Sequence, residues 1–234
     1  MIRTVRSREV YRNPWMTVRE DDIVHADGTP GLYGVVDKPD YALAIPRQDG
    51  RVHLVEQYRY PVGGRYWEFP QGSWPEDHEP ADPLGLARAE LREETGLRAG
   101  RMTYLGRVHV AYGYASQGCH VFLAEELVQG RPEREATEAD MRQRWADPGE
   151  WRDLVRAGRI TDAATLAAHA LLDLYDRSDR YDRSDAHGLS DRSDAHDLSV
   201  PHDLSVPHDR PDPHDPHDPH DPHDPHDSEG KTRL

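Results

Sequence analysis

After Tyr175 the sequence carries no apolar periodicity, and that break limits what the chain can fold into. Residues 176–234 hold sixteen acids against seven basic residues. They comprise Asp-Arg-Ser-Asp repeats, two overlapping copies of Asp-Leu-Ser-Val-Pro-His-Asp, and five consecutive Pro-His-Asp triplets from Pro213. Such a segment cannot bury a core and reads as a disordered low-complexity tail. Proline at every third position favours polyproline II, whose three-residue turn lines the triplet histidines along one edge. That edge is expected to bind Ni²⁺ or Zn²⁺ weakly through neutral imidazoles. Repeat expansion without function explains the same pattern.

Folding is left to residues 1–175, with N-terminal strands over 1–40 and a core over 41–175. The chain's formal charge is −15, of which −9 falls in the tail. A mildly acidic body argues against nucleic acid as a partner, because phosphate backbones are bound by clustered Lys and Arg. Cys119 is the only cysteine, so no intrachain disulfide can form. No signal-peptide core and no run of about 18 apolar residues is present, which points to a cytoplasmic protein with no membrane partner.

Strand signals dominate the first half. Residues 16–25 and 32–36 flank the turn Ala26-Asp27-Gly28, an antiparallel hairpin pattern, and residues 41–45 and 52–57 flank Asp49-Gly50 in the same way. Residues 102–110 and 120–127 read as further strands. A short helix is expected over 148–157, stopped by Gly158, and a last helix after Thr161 or Asp162. This order implies an α+β fold, a mixed β-sheet with helices on its faces.

Chemistry concentrates in Ala89-Glu90-Leu91-Arg92-Glu93-Glu94-Thr95-Gly96-Leu97. On a helix, Glu90, Glu93 and Glu94 share one face, beside an apolar stripe of Leu84, Ala87 and Leu91. Like charges so placed repel unless a hard cation joins them, and magnesium prefers carboxylate oxygens and substrate phosphates. Taken alone, an E-x-x-E-E pattern is more often a solvated helix face. Its context is different: Trp67-Glu68-Phe69-Pro70-Gln71-Gly72 precedes it, and Gly96 suits the left-handed residue that ends a helix.

This run resembles the Nudix box, a glycine and a glutamate-bearing loop followed by R-E-U-x-E-E-x-G-U, where U is aliphatic. Gly72, Glu90, Leu91, Glu93, Glu94, Gly96 and Leu97 match it. The loop is three residues longer than usual, with Glu76 or Glu79 as its glutamate, and Ala89 replaces the box arginine. Arg88 points elsewhere on the helix, so Glu93 is expected to be looser, or held by another arginine, or to bind metal less tightly. Val10-Tyr11-Arg12-Asn13-Pro14-Trp15, Gln57-Tyr58-Arg59-Tyr60-Pro61 and Gly158-Arg159-Ile160-Thr161-Asp162-Ala163-Ala164-Thr165-Leu166 extend the likeness to the ADP-ribose pyrophosphatase branch. In that branch a loop glutamate precedes the strand at 120–124; here Gln117 stands in its place, and an amide cannot accept a proton.

The resemblance implies an α/β/α sandwich of the Nudix type with an N-terminal antiparallel hairpin. It further implies hydrolysis of the pyrophosphate bond of a nucleoside diphosphate derivative, ADP-ribose or a nucleotide sugar, with Mg²⁺ or Mn²⁺. Glu90, Glu93, Glu94 and the Gln71 carbonyl are the implied metal ligands, Glu93 and Glu94 the catalytic carboxylates. Substrate would meet Arg59 as a phosphate clamp, Glu68, the Gly72 backbone and Gln117. The water is expected to be activated by a helix glutamate or by an acid of residues 133–140. A homodimer is the expected assembly. Tyr11 and Trp15 are candidates for base stacking, with core or interface packing the commoner role, and His109 and His120 are read as packing or hydrogen-bonding residues. The competing function is a nucleotide-binding sensor that cleaves weakly, consistent with Ala89 and Gln117.

Overall fold

The structure, a computed structural model, describes residues 1–73, 82–134 and 139–188, with side chains described as far as residue 178. The loop glutamates Glu76 and Glu79 and the repeats beyond residue 188 lie outside the described residues, as does the expected nickel or zinc edge.

Three strands come first: β1 (Arg3–Asn13), β2 (Met16–Val24) and β3 (Pro30–Asp37) form an antiparallel sheet in the order β1-β2-β3. The expected hairpin is its β2-β3 half, closed through Gly28 at φ 87°. The Asn13 carboxamide oxygen accepts from the Trp15 and Met16 amides and turns β1 into β2. Ile23 is the only fully buried apolar side chain of this sheet, and exposed pairs such as Arg6–Asp22 add little. Trp15 and Tyr11 are more than half exposed, so neither packs into a core.

The second sheet has β4 (Tyr41–Gln48) at its centre, in the order β10-β5-β4-β9-β8, with β6 and β7 added on β5 and β4. The Asp49-Gly50 turn does join β4 to β5 (Arg51–Arg59), but the two pair only at Arg47–Val52 and Gln48–Arg51. Beyond that point β4 pairs in parallel with β9 (Gly118–Gln129), while β5 pairs with β6 (Gly64–Glu68) and β10 (Arg142–Ala146). The split follows from composition: residues 42–46 of β4 are all buried and need cover on both faces and both edges. β8 (Leu97–His109) closes the far edge against β9. The two-residue strand β7 (Gln71–Gly72) pairs Gln71 with Leu43 and Gly72 with Ala42.

Alternation along β4 and β9 divides the core in two. Leu43, Ile45, Val121 and Leu123 point to one face and meet Trp151 of α2 (Pro148–Arg156) and Ala164, Ala168 and Leu172 of α3 (Ala163–Gly188). Ala42, Ala44, Phe122 and Ala124 point to the other and meet Leu86, Ala87 and Leu91. Alanines at three of these four positions let α1 (Pro83–Glu90) approach the sheet closely, and each buried leucine here contributes roughly 1.5–3 kcal/mol. The result is the expected sandwich with helices on both faces.

Both expected helices form, α2 with a reciprocal cap between Asp147 and Glu150. α3, however, does not end where the composition changes. It runs thirteen residues past Tyr175, to Gly188, and Asp176 forms an ion pair with Arg47. No helix among the described residues is long and apolar enough to cross a membrane.

Candidate active site

Asp82 caps α1, accepting from the Leu84 and Gly85 amides at 3.0 and 3.2 Å, with Pro83 in the first turn. The helix then widens: Leu91–Thr95 form a π turn, and Gly96 ends it at φ 78°. A uniform α-helix was the sequence expectation. The wider turn shifts the angular spacing of Glu93 and Glu94 relative to Glu90, and such turns recur at functional sites. Glu133 N and Arg134 Nε donate to the Glu93 and Glu94 carbonyls, at 2.9 Å each, and so fix the helix end.

The helix glutamates take three different places. Glu90 lies against β7 so closely that a Cβ on Gly72 would overlap its carboxylate. Glu94 is 1 % exposed and acts electrostatically on Arg59. Glu93 accepts from Arg92 Nη2 at 2.7 Å. Arg92 therefore supplies the cation that Ala89 does not, while Arg88 donates to the Ala99 carbonyl. Among the described residues no three carboxylate, imidazole or thiol side chains converge closely enough to enclose an ion.

Beside Gly72 opens a cleft of about 520 Å³, whose walls include Arg59, Glu68, Gln71, Gly72 and Gln117. Five sequence-derived residues are thereby brought together. Glu68 is its buried centre: Arg59 donates to it through Nε and Nη2 at 3.1 and 2.6 Å, Gln57 at 2.8 Å and Gln71 at 3.3 Å. Burial pushes the Glu68 carboxyl upward, against the opposing pull of Arg59. Burial likewise disfavours the Arg59 charge, but Glu68, Glu94 and Asp162 outweigh it and keep the guanidinium protonated.

Gln117 reaches the cleft but spends its amide on the Pro39 carbonyl, at 2.8 Å. The loop it belongs to is further tied to β3 by Val36 N to Tyr114 O and Ser116 N to Val36 O, at 2.8 and 3.1 Å. Of the acids expected in the 133–140 segment, Glu133 faces Arg92 and Arg98, and Asp140 pairs with Arg65. Neither lines the cleft; Glu135 and Glu138 lie outside the described residues.

Three groups escaped the sequence reading. Asp162 caps α3 as expected, accepting from Thr165 N at 2.8 Å, yet it also faces Gln71 Nε2 at 3.4 Å and lines the cleft. Lys38 lines the cleft from the linker between the sheets. Asp40 accepts from Arg107 Nε and Gly118 N, both at 2.8 Å, and lies 3.4 Å from His120. Burial alone would raise its carboxyl, but His120, Gly118 and Arg107 prevail and hold it far below the usual range. His120 and His109 are accordingly hydrogen-bonding residues, the former also meeting the Tyr104 hydroxyl at 3.3 Å and the latter Arg107 at 3.2 Å.

Residues 38–168 match the NUDIX domain, and residues 2–36 match the nucleoside diphosphate sugar hydrolase N-terminal domain. The chain belongs to the Nudix family. An ADP-ribose pyrophosphatase of Mycobacterium tuberculosis (strain ATCC 25618 / H37Rv) is 32 % identical over 174 residues, 72 % of this chain and 83 % of that protein. Another ADP-ribose pyrophosphatase, from Bacillus subtilis (strain 168), is 28 % identical over 58 % of this chain and 72 % of its own length. A methanol dehydrogenase activator of Bacillus methanolicus is 25 % identical over 53 % of this chain and 66 % of its own. In fold, the chain resembles the crystal structure of an ADP compounds hydrolase, with a TM-score of 0.67 over 76 % of this chain and 95 % of that one, at 19 % identity. The Nudix chain is a pyrophosphohydrolase, and Nudix hydrolases generally use divalent metal ions.

Proposed function

We propose that this Nudix hydrolase cleaves the pyrophosphate bond of a nucleoside diphosphate derivative, with ADP-ribose as first choice and nucleotide sugars next, using Mg²⁺ or Mn²⁺. The observation that carries the reading is the packing of Glu90 into the space a Gly72 side chain would fill, next to the cleft that Arg59 and Glu68 line. The oxygen-only donor set of Glu90, Glu93, Glu94 and the Gln71 carbonyl fits a hard divalent ion. When bound, the ion would neutralise phosphate charge and lower the pKa of a bound water.

The chain's own residues do the rest. Glu68 holds Arg59 and Gln71 in fixed orientation, so the cleft is preorganised before substrate arrives. Arg59 presents a guanidinium whose charge is kept by three carboxylates. Gln117 fixes its loop and takes no proton. Glu93 and Glu94 are the proposed proton acceptors, since the described acids at 133 and 140 are engaged elsewhere.

The exposed strand β1, with Val5, Val10, Tyr11 and the adjacent Trp15 open to solvent, supports a homodimer. The expected compartment is the cytoplasm. Purified protein with Mg²⁺ or Mn²⁺ should release AMP from ADP-ribose, read by chromatography across a panel of nucleoside diphosphate derivatives. Binding of these compounds without cleavage, by folded protein, would replace the hydrolase reading with that of a sensor.

A further inference from the structure

Two cations line the cleft, and they are not equivalent. Arg59 is already matched, with two of its nitrogens on the Glu68 carboxylate. Lys38 is not: among the described residues no acidic side chain stands within ion-pair distance of its ammonium. Asp162, the other carboxylate of the cleft wall, is occupied by Thr165 N and Gln71. Among the described residues, Lys38 is thus the cleft cation whose ammonium has no carboxylate against it, and an anion is a ligand that would pair it.

A lysine on a loose linker would recognise little, because its backbone would have to be ordered at the moment of binding. This linker is fastened on both sides of Lys38. Asp37 accepts from Arg19 Nη1 at 2.6 Å, which ties it to the N-terminal sheet. The Pro39 carbonyl accepts from Gln117, and Asp40 is held by Arg107 and Gly118 N. Only the lysine's own rotamers remain to be fixed. The chain has just two lysines, Lys38 and Lys231, and otherwise uses arginine. An arginine favours planar, two-point contact, whereas an ammonium is a compact charge with three rotatable donors that follows a phosphate in any orientation.

We propose that Lys38 binds the phosphate oxygens of the substrate and thereby sets the preference for diphosphate over uncharged nucleoside ligands. This rests on the nucleoside diphosphate reading above and assigns the phosphate contact to the linker between the two sheets, at the start of the NUDIX match. It also explains why Gln117 occupies the loop position it does: its bond to Pro39 anchors the residue next to Lys38.

The test uses the full-length chain and its Lys38→Met and Lys38→Arg variants, with folding checked by circular dichroism. Calorimetry without metal measures ADP and adenosine; steady-state assays with Mg²⁺ measure ADP-ribose. Lys38→Met should weaken ADP binding about ten-fold or more and raise KM for ADP-ribose similarly, with kcat within about three-fold. Adenosine affinity should not move, and Lys38→Arg should recover most of the loss. ADP affinity and KM within two-fold of wild type in Lys38→Met would overturn the assignment, as would equal losses for ADP and adenosine. If the wild-type chain hydrolyses none of the diphosphate panel, the catalytic reading fails while the ADP comparison still decides Lys38. A wild-type chain that hydrolyses ADP-ribose but does not bind ADP without metal overturns the Lys38 assignment alone.

Discussion

Glu94 is the most deeply buried of the three helix glutamates. It is 1 % exposed, and its charge is felt by Arg59. A carboxylate so desolvated is costly unless it interacts with cations, and Arg59 with a bound divalent ion would provide them. Glu94→Gln keeps the shape and removes the charge. Turnover of ADP-ribose should fall roughly a hundredfold or more, since charge stabilisation by a metal is worth several kcal/mol, with little change in melting temperature. Near wild-type turnover would show that Glu94 is not a ligand. At this scale the sequence spoke clearly where chemistry follows chain spacing: Arg59, Glu68, Gln71 and Gly72 were legible and line one cleft. Lys38 and Asp162 were not, because their signal is proximity across the fold. Arg92 was hidden for another reason: adjacent residues do not face each other on an α-helix, and the π turn was not foreseen.

Among the elements, hairpins were read well at their turns and poorly along their length. Asp49-Gly50 does reverse the chain, yet β4 then leaves β5 for a parallel partner 70 residues and more away in sequence, a choice set by core burial that no local pattern records. The 111–118 loop shows the same limit. Sequence placed Gln117 in it, but not the bonds to Val36 and Pro39 that make the loop a fixed strap. Gln117→Ala deletes one amide-to-carbonyl bond, which should cost about 1 kcal/mol in urea denaturation and lower kcat/KM only a few-fold through loosening of the linker. Abolished turnover with folding and ADP affinity intact would place this side chain in the chemistry itself.

At the scale of the whole molecule, two quantities report on how the domain is held together: its acid stability and its C-terminal limit. His53 sits in β5 at 4 % exposure, edge-on to Trp145 at 4.7 Å, with Nδ1 lacking a hydrogen-bond partner, and burial holds its pKa down to about 4. Unfolded, it titrates near ~6.5. Between those values the unfolded chain binds a proton that the folded chain refuses, so stability is complete above the unfolded value and is lost as pH falls toward 4. The urea midpoint should therefore decline over that interval, and His53→Leu should flatten the decline, although His169, also depressed by burial, leaves part of it. An unchanged slope in His53→Leu would sink this account. The C-terminal limit turns on α3, which crosses the composition break at Tyr175 without ending. Tyr175 packs against the core and Asp176 pairs with Arg47, so a cut after Tyr175 removes that ion pair and strips the carbonyls of the preceding turn of their helical donors. A cut after Gly188 does neither. Truncation after Gly188 should leave melting temperature and ADP-ribose hydrolysis at the full-length values while removing the Pro-His-Asp triplets and any weak nickel or zinc binding they confer. Truncation after Tyr175 should retain activity but melt a few degrees lower, in keeping with a loss of about 1 kcal/mol. Equal melting temperatures for the two truncations would place the domain's working end at Tyr175, and loss of Mg²⁺-dependent turnover in the folded Gly188 truncation would make the repeats part of the enzyme.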